Sequence, residues 1–160
     1  MITGSIVALV TPMLPDGAID KEGLATLIEY HIQSGTAALG IAGTTGESAT
    51  LTMAEHIDII QFAVEQAAGR IPVVAGTGSN STHEAIELTV AAAAAGAEYS
   101  LLVTPYYNKP PQEGLYRHFC HVAAAVNIPI ILYNVPSRTG VDLSSETVLR
   151  LSELGNIAGL

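Results

Sequence analysis

Residues 72–103 read PVVAGTGSNSTHEAIELTVAAAAAGAEYSLLV. Pro72–Ala75 is a short apolar run with no polar alternation, the composition of a strand buried on both faces. A Gly- and Asn-rich turn follows. Ser81-Thr82-His83-Glu84 then has the spacing of a capping box, in which the hydroxyl takes a free backbone N–H and the carboxylate reaches back. This predicts a helix to about Ala95, closed by Gly96 as a left-handed cap. Ser100–Val103 is apolar again. Strand, helix and strand within about 30 residues make a βαβ unit with parallel strands.

The same unit recurs on both sides. Apolar runs stand at Ser5–Val10, Ala38–Ala42, Pro129–Tyr133 and Ile157–Leu160. Between them, Asp20 opens a helix with Leu24, Leu27, Ile28 and Ile32 on one face. Thr52-Met53-Ala54-Glu55 is another capping box, and its helix runs to about Ala68. Pro110-Pro111 suits a first helical turn, in a helix to about Val126. A last helix spans about Ser144–Glu153. Gly35, Gly69, Gly96, Asn127 and Gly155 mark the helix ends as left-handed caps, at a repeat near 30 residues. The alanine run Ala91–Ala95 reads as the small face of a helix lying close to a sheet.

Two architectures repeat βα units. A doubly wound open sheet closes with five or six strands. A (β/α)8 barrel needs eight units, about 250 residues. The sequence stops inside an apolar strand, Asn156-Ile157-Ala158-Gly159-Leu160. The expectation is therefore an α/β chain in which residues 1–160 are the N-terminal part of a single (β/α)8 TIM barrel domain, five βα units plus the sixth strand.

Composition excludes several classes of function. The 160 residues carry 6 Lys and Arg against 15 Asp and Glu, a net charge of −9 with no basic cluster, which is a poor match for nucleic acid or an anionic membrane surface. No apolar stretch approaches the roughly 20 residues of a membrane span. The N-terminus lacks a basic region followed by an apolar one, and the lone Cys120 has no partner for an internal disulfide. The expected location is cytoplasmic. His31, His56, His83, His118 and His121 all fall on predicted helices, away from strand ends and without metal-ligand spacing. No metal site is expected.

In barrels, reacting groups sit on the loops after the strands. Here those loops carry Thr11-Pro12, Gly43-Thr44-Thr45-Gly46-Glu47-Ser48, Gly76-Thr77-Gly78-Ser79-Asn80, Thr104-Pro105-Tyr106-Tyr107-Asn108 and Tyr133-Asn134-Val135-Pro136-Ser137-Arg138-Thr139-Gly140. Glycines in the second let a ligand approach the backbone, and consecutive N–H groups with two hydroxyls suit a carboxylate. Read blandly, it is a tight turn with capping hydroxyls. Tyr106, Tyr107 and Tyr133 gather phenols at the same rim. A phenol passes a proton only when neighbours stabilise its anion, and a hydroxyl such as Thr44 can join two of them. Arg138 offers a fork for a second carboxylate, unless a neighbouring acid merely pairs it. Such a rim suits carbonyl chemistry through a Schiff base. Yet the two lysines, Lys21 at a helix start and Lys109 in a loop, stand on no strand where burial would favour a neutral nucleophile.

The three motifs Gly43–Ser48, Val103–Pro110 and Tyr133–Gly140, with Gly4–Pro12 and Ala75–Gly78, resemble the signatures of the dihydrodipicolinate synthase family over all 160 residues. The resemblance implies a homotetrameric class I aldolase that condenses pyruvate with L-aspartate 4-semialdehyde to give 4-hydroxy-tetrahydrodipicolinate, in lysine and diaminopimelate biosynthesis. It implies no organic cofactor or metal. By motif, Tyr133 is the proton donor and acceptor, Thr44 and Tyr107 complete its relay, and Tyr107 reaches a neighbouring subunit. Thr45 binds the pyruvate carboxylate and Arg138 that of the semialdehyde. The imine lysine is expected immediately after Leu160, so these 160 residues by themselves hold the relay without its nucleophile and are expected to be inactive. Many members are inhibited by L-lysine, at positions matching Ser48, Ala49, His56, Asn80, Glu84 and Tyr106; a histidine frequent in inhibited members is Met53 here. Sialic acid lyases and keto-deoxy-gluconate aldolases share the cradle and the strand-five tyrosine, and Arg138 argues against them. A non-catalytic carboxylate-binding relative is the reading from another class.

Overall fold

A computed structural model describes residues 2–160. Six strands form one sheet: β1 (Ile6–Ala8), β2 (Ala38–Ile41), β3 (Val73–Gly76), β4 (Tyr99–Val103), β5 (Ile130–Tyr133) and β6 (Ile157–Gly159). Their order in space is their order in sequence, and every neighbouring pair is parallel. Between them lie α1 (Lys21–Gln33), α2 (Met53–Ala67), α3 (Thr82–Ala95), α4 (Gln112–Ala125), α5 (Pro136–Thr139) and α6 (Ser145–Leu151). Helix α1 packs on α2, α2 on α3, α3 on α4 and α4 on α6, so the long helices form one layer. A doubly wound sheet would reverse its strand order and place helices on both faces.

The sheet curls. Ile6 of β1 and Ile157 of β6, at its opposite edges, line one cavity of about 570 Å³ with Tyr99 and Ile131 between them. Strands β2 and β3 are buried at every residue. In β4 and β5, Ser100, Leu102, Ile130 and Leu132 are buried, while the alternate residues are half-buried on the concave face. The chain is thus five βα units and the sixth strand of a (β/α)8 barrel.

Two apolar clusters fill the space between helices and sheet. One gathers Leu24, Ile28, Leu39, Ile59, Ile60 and Val73; the other Leu102, Leu115, Phe119, Ile130, Leu132 and Leu151. Between β3, β4 and α3 lies a buried hydroxyl group of three. Thr77 Oγ1 bonds to Ser100 Oγ at 2.6 Å and to Thr89 Oγ1 at 2.9 Å, and Thr89 donates to the Ala85 carbonyl. A half-satisfied hydroxyl would be costly there; linking them satisfies all three.

Several expectations need correction. Thr52 makes the full capping box with Glu55, but Ser81 makes half of one: it accepts from Glu84 N while the Glu84 carboxylate accepts from Ser79 Oγ instead. Pro111 is the N-cap of α4 rather than part of its first turn. Asn127 and Gly155 are not left-handed; α4 ends on an extended Val126, and Ala68 enters the left-handed region together with Gly69. Residues 136–139, read as loop, form the single turn α5, and Ser48–Thr50 form a turn of 3-10 helix.

Candidate active site

The loops leaving the carboxyl ends of the strands meet at one end of the sheet, and the shape of each is set by close backbone approach. A side chain on Gly76 would run into the Ala42 carbonyl and Gly43 N, and one on Gly78 into Val103 N. Glycine is what lets β2, β3 and β4 come together there. Among the described residues, four of the five non-glycine residues in the left-handed region belong to these loops: Ala42, Glu47, Tyr107 and Lys109. Each such residue costs on the order of 1–3 kcal/mol, and such strain gathers at functional sites.

Three adjoining cavities divide the polar groups. The smallest, about 30 Å³, is lined by Gly43, Thr44, Gly76 and Tyr133. Thr44 and the strand-five phenol therefore share a recess over the concave face. The second, about 350 Å³, brings Thr44 together with Ser48, Tyr106, Arg138 and Thr139. Arg138 stands on α5 and reaches this cavity from the strand-five side. Arg70, Arg117 and Arg150 each pair with a glutamate; among the described residues Arg138 is the arginine with no carboxylate partner. The third cavity, about 90 Å³, is lined by Ser48, Ala49, Met53, His56, Glu84 and Tyr106. Ser48, Ala49, Gly78 and Tyr106 line both the second and the third.

His56 corrects the view that all histidines lie away from strand ends. It is buried, and its Nε2 donates to the Gly76 carbonyl at 2.6 Å. A carbonyl only accepts, so Nε2 carries the proton and Nδ1 is left as an acceptor. Burial pushes the imidazole pKa below its ordinary value, against the carbonyl bond and the nearby Glu84 charge. Asn80 does not line the third cavity with the other five predicted residues; its carbonyl accepts from Asn108 Nδ2.

Thr45 and Tyr107 line none of the three cavities. Thr45 is exposed on the cradle loop. Tyr107 N donates to the Thr139 carbonyl at 3.2 Å, and this left-handed residue throws its ring outward, 88% exposed. Lys21 pairs with Asp58 on the helical layer, and Lys109 lies against Gly140 at the rim. Two residues outside the expected set also shape the site: the Ser79 hydroxyl holds the Glu84 carboxylate, and the Thr11 hydroxyl enters the cradle loop. Thr11 was visible as a polar residue at a strand end.

A family model described as the dihydrodipicolinate synthetase family matches residues 1–160. The chain is 62% identical over 160 residues to a 4-hydroxy-tetrahydrodipicolinate synthase of Methylococcus capsulatus, covering all of this chain and 55% of that protein. It superposes with a TM-score of 0.97 and 58% identity on the chloride-inhibited dihydrodipicolinate synthase of Acinetobacter baumannii complexed with pyruvate, over 99% of this chain and 55% of that one. The enzyme of Cyanidioschyzon merolae with lysine bound matches with a TM-score of 0.93 and 43% identity, over 96% and 53%. The chain thus spans about half the length of the relatives it matches.

Proposed function

The chain belongs to the dihydrodipicolinate synthetase family, and from that membership we propose that it is the relay-bearing part of a Schiff-base synthase. The proposed reaction condenses pyruvate with L-aspartate 4-semialdehyde to 4-hydroxy-tetrahydrodipicolinate, in lysine and diaminopimelate biosynthesis. The observation that carries the reading is the shared position of Thr44: it lines one recess with Tyr133 and the next cavity with Arg138, which has no carboxylate partner among the described residues. A proton-transfer group and a carboxylate fork on either side of one hydroxyl fit a keto acid and a second acid meeting there.

On this reading a lysine following Leu160 attacks C2 of pyruvate and loses water to form an imine. Loss of a methyl proton gives an enamine, whose carbon bonds to the aldehyde carbon. The second substrate's amine then displaces the lysine from C2 and closes the ring. Tyr133 takes and returns protons through Thr44 and Tyr107. The Thr45 loop holds the pyruvate carboxylate, and Arg138 holds that of the semialdehyde bidentately. The imine itself is the electron sink, so the scheme calls for no organic cofactor or metal. An exposed Tyr107 ring fits a residue that completes its relay in a neighbouring subunit of a homotetramer. No helix of the described residues is long and apolar enough to cross a membrane, in keeping with the proposed cytoplasmic location.

The third cavity is the proposed L-lysine effector site. Glu84 supplies an acid for the ammonium and His56 faces the same space. Calorimetric titration of the full-length protein with L-lysine should give saturable binding that Glu84→Ala abolishes.

Borohydride treatment of the full-length protein with pyruvate tests the main reading. A mass increase equal to one reduced pyruvyl group on the lysine after Leu160 is expected; no adduct would favour a carboxylate-binding relative without catalysis. Arg138→Ala should still form the adduct while losing at least about 100-fold in kcat/KM for the semialdehyde, since a charged bidentate contact is worth roughly 3 kcal/mol. Equal loss of both would contradict the role given to Arg138.

A further inference from the structure

We infer that Thr11 is a positioning residue that sets the orientation of the Gly43–Gly46 carboxylate cradle. The inference rests on the reading that this loop holds the pyruvate carboxylate. An anion cradle needs its N–H groups free and its carbonyls turned away, because a carbonyl oxygen aimed at a carboxylate repels it. The loop achieves part of this within itself. Glu47 N donates to the Thr44 carbonyl at 3.1 Å, and Ser48 N to the Gly43 carbonyl at 3.3 Å. The Gly46 carbonyl has no such partner inside the loop. It accepts instead from Thr11 Oγ1, at 2.7 Å, across 35 residues of sequence and in a buried position. Among the described residues, the amides of Thr44, Thr45 and Gly46 have no protein acceptor. Three of the four carbonyls of Gly43–Gly46 are thus occupied, while the consecutive amide donors remain.

Thr11 is well placed to hold this arrangement still. It is 9% exposed and lies two residues beyond Leu9, whose N–H pairs with the Gly40 carbonyl at the end of the sheet. The approach is close from the other side as well. A Cβ on Gly46 would lie 3.1 Å from the Leu9 carbonyl and 3.2 Å from Thr11 Oγ1. Gly46 is therefore seated on the end of β1, and the hydroxyl fixes which way its peptide faces. Thr11→Val keeps the shape but removes the donor, leaving a buried carbonyl that gains by rotating toward the ligand space.

The test is made in the full-length protein with Thr11→Val and Thr11→Ser. Thr11→Val should raise KM for pyruvate about 10-fold, more than kcat falls, with KM for the semialdehyde changed less than 2-fold. Thr11→Ser, which keeps the hydroxyl, should restore most of the loss. Equal rises in both KM values, an unchanged pyruvate KM, or a serine variant as impaired as valine would overturn the inference. Should Thr11→Val not fold, Gly46→Ala disturbs the same contact from the opposite side and should show the same selectivity for pyruvate; a loss shared by both substrates there would count against it equally. Borohydride trapping separates the two levels: no pyruvyl adduct in the unaltered protein defeats the functional reading, whereas an adduct with unchanged pyruvate KM in Thr11→Val defeats only the role of Thr11.

Discussion

His118 shows how much a single buried side chain can carry. Its Nδ1 lies 2.9 Å from the Thr82 hydroxyl, linking α4 to the start of α3, and its Nε2 is buried without a partner among the described residues. Burial, and secondarily the charge of His121, pushes its pKa down to about 4. The folded protein therefore resists a proton that the unfolded chain takes up near pH 6.5. Stability from this source is complete above about pH 6.5 and is lost as the pH falls toward 4, by a few kcal/mol at most. His56 is depressed in the same direction and adds to the slope. Glu29, Glu55 and Glu113 are held below the usual carboxylate range by their hydrogen bonds and lose stability only at lower pH. Urea midpoints at pH 7.5 and 5 should thus differ in the full-length protein, and His118→Gln should shrink that difference. An unchanged difference would remove His118 as its source.

At the scale of elements, local chemistry made most of the helices readable. Asp20, Thr52, Ser81 and Ser144 each cap the helix they were expected to start, because a cap is satisfied by a backbone amide two or three residues away. The two capping boxes of like sequence nonetheless differ. Glu55 closes its box, whereas Glu84 leaves its own for Ser79, a partner that only the turn after β3 brings near. Thr52→Ala should therefore cost about 1 kcal/mol in chemical denaturation. Glu55→Ala should destabilise α2 more than Glu84→Ala destabilises α3, as read by amide exchange in each first turn. Helix α5 is not legible in the sequence for the same physical reason. Four residues hold little intrinsic preference, and this turn is secured by Tyr107 N on the Thr139 carbonyl, a contact made across the mouth of the sheet.

For the molecule as a whole, the hydroxyl seam of Thr77, Thr89 and Ser100 separates two cores that share one continuous sheet. Phe119→Ala, at the centre of the second, should cost about 3–5 kcal/mol. Native-state hydrogen exchange should then rise more in β4 and β5 than in β2 and β3; a uniform rise would mean that the seam does not divide the cooperative units. The order of elements, the parallel strands and the rim that carries the polar groups were all legible in the sequence. Each depends on the repeat of apolar runs, on caps and on glycines, which act over a few residues, and the family motifs were equally plain. Which groups meet was decided by the tertiary structure alone. Thr44 joins Tyr133 in one recess and Arg138 in another, Asn80 stays out of the cavity its neighbours line, and Thr11 reaches Gly46. These residues come from strand ends and loops far apart in the sequence, and only the curl and register of the sheet set which of them adjoin.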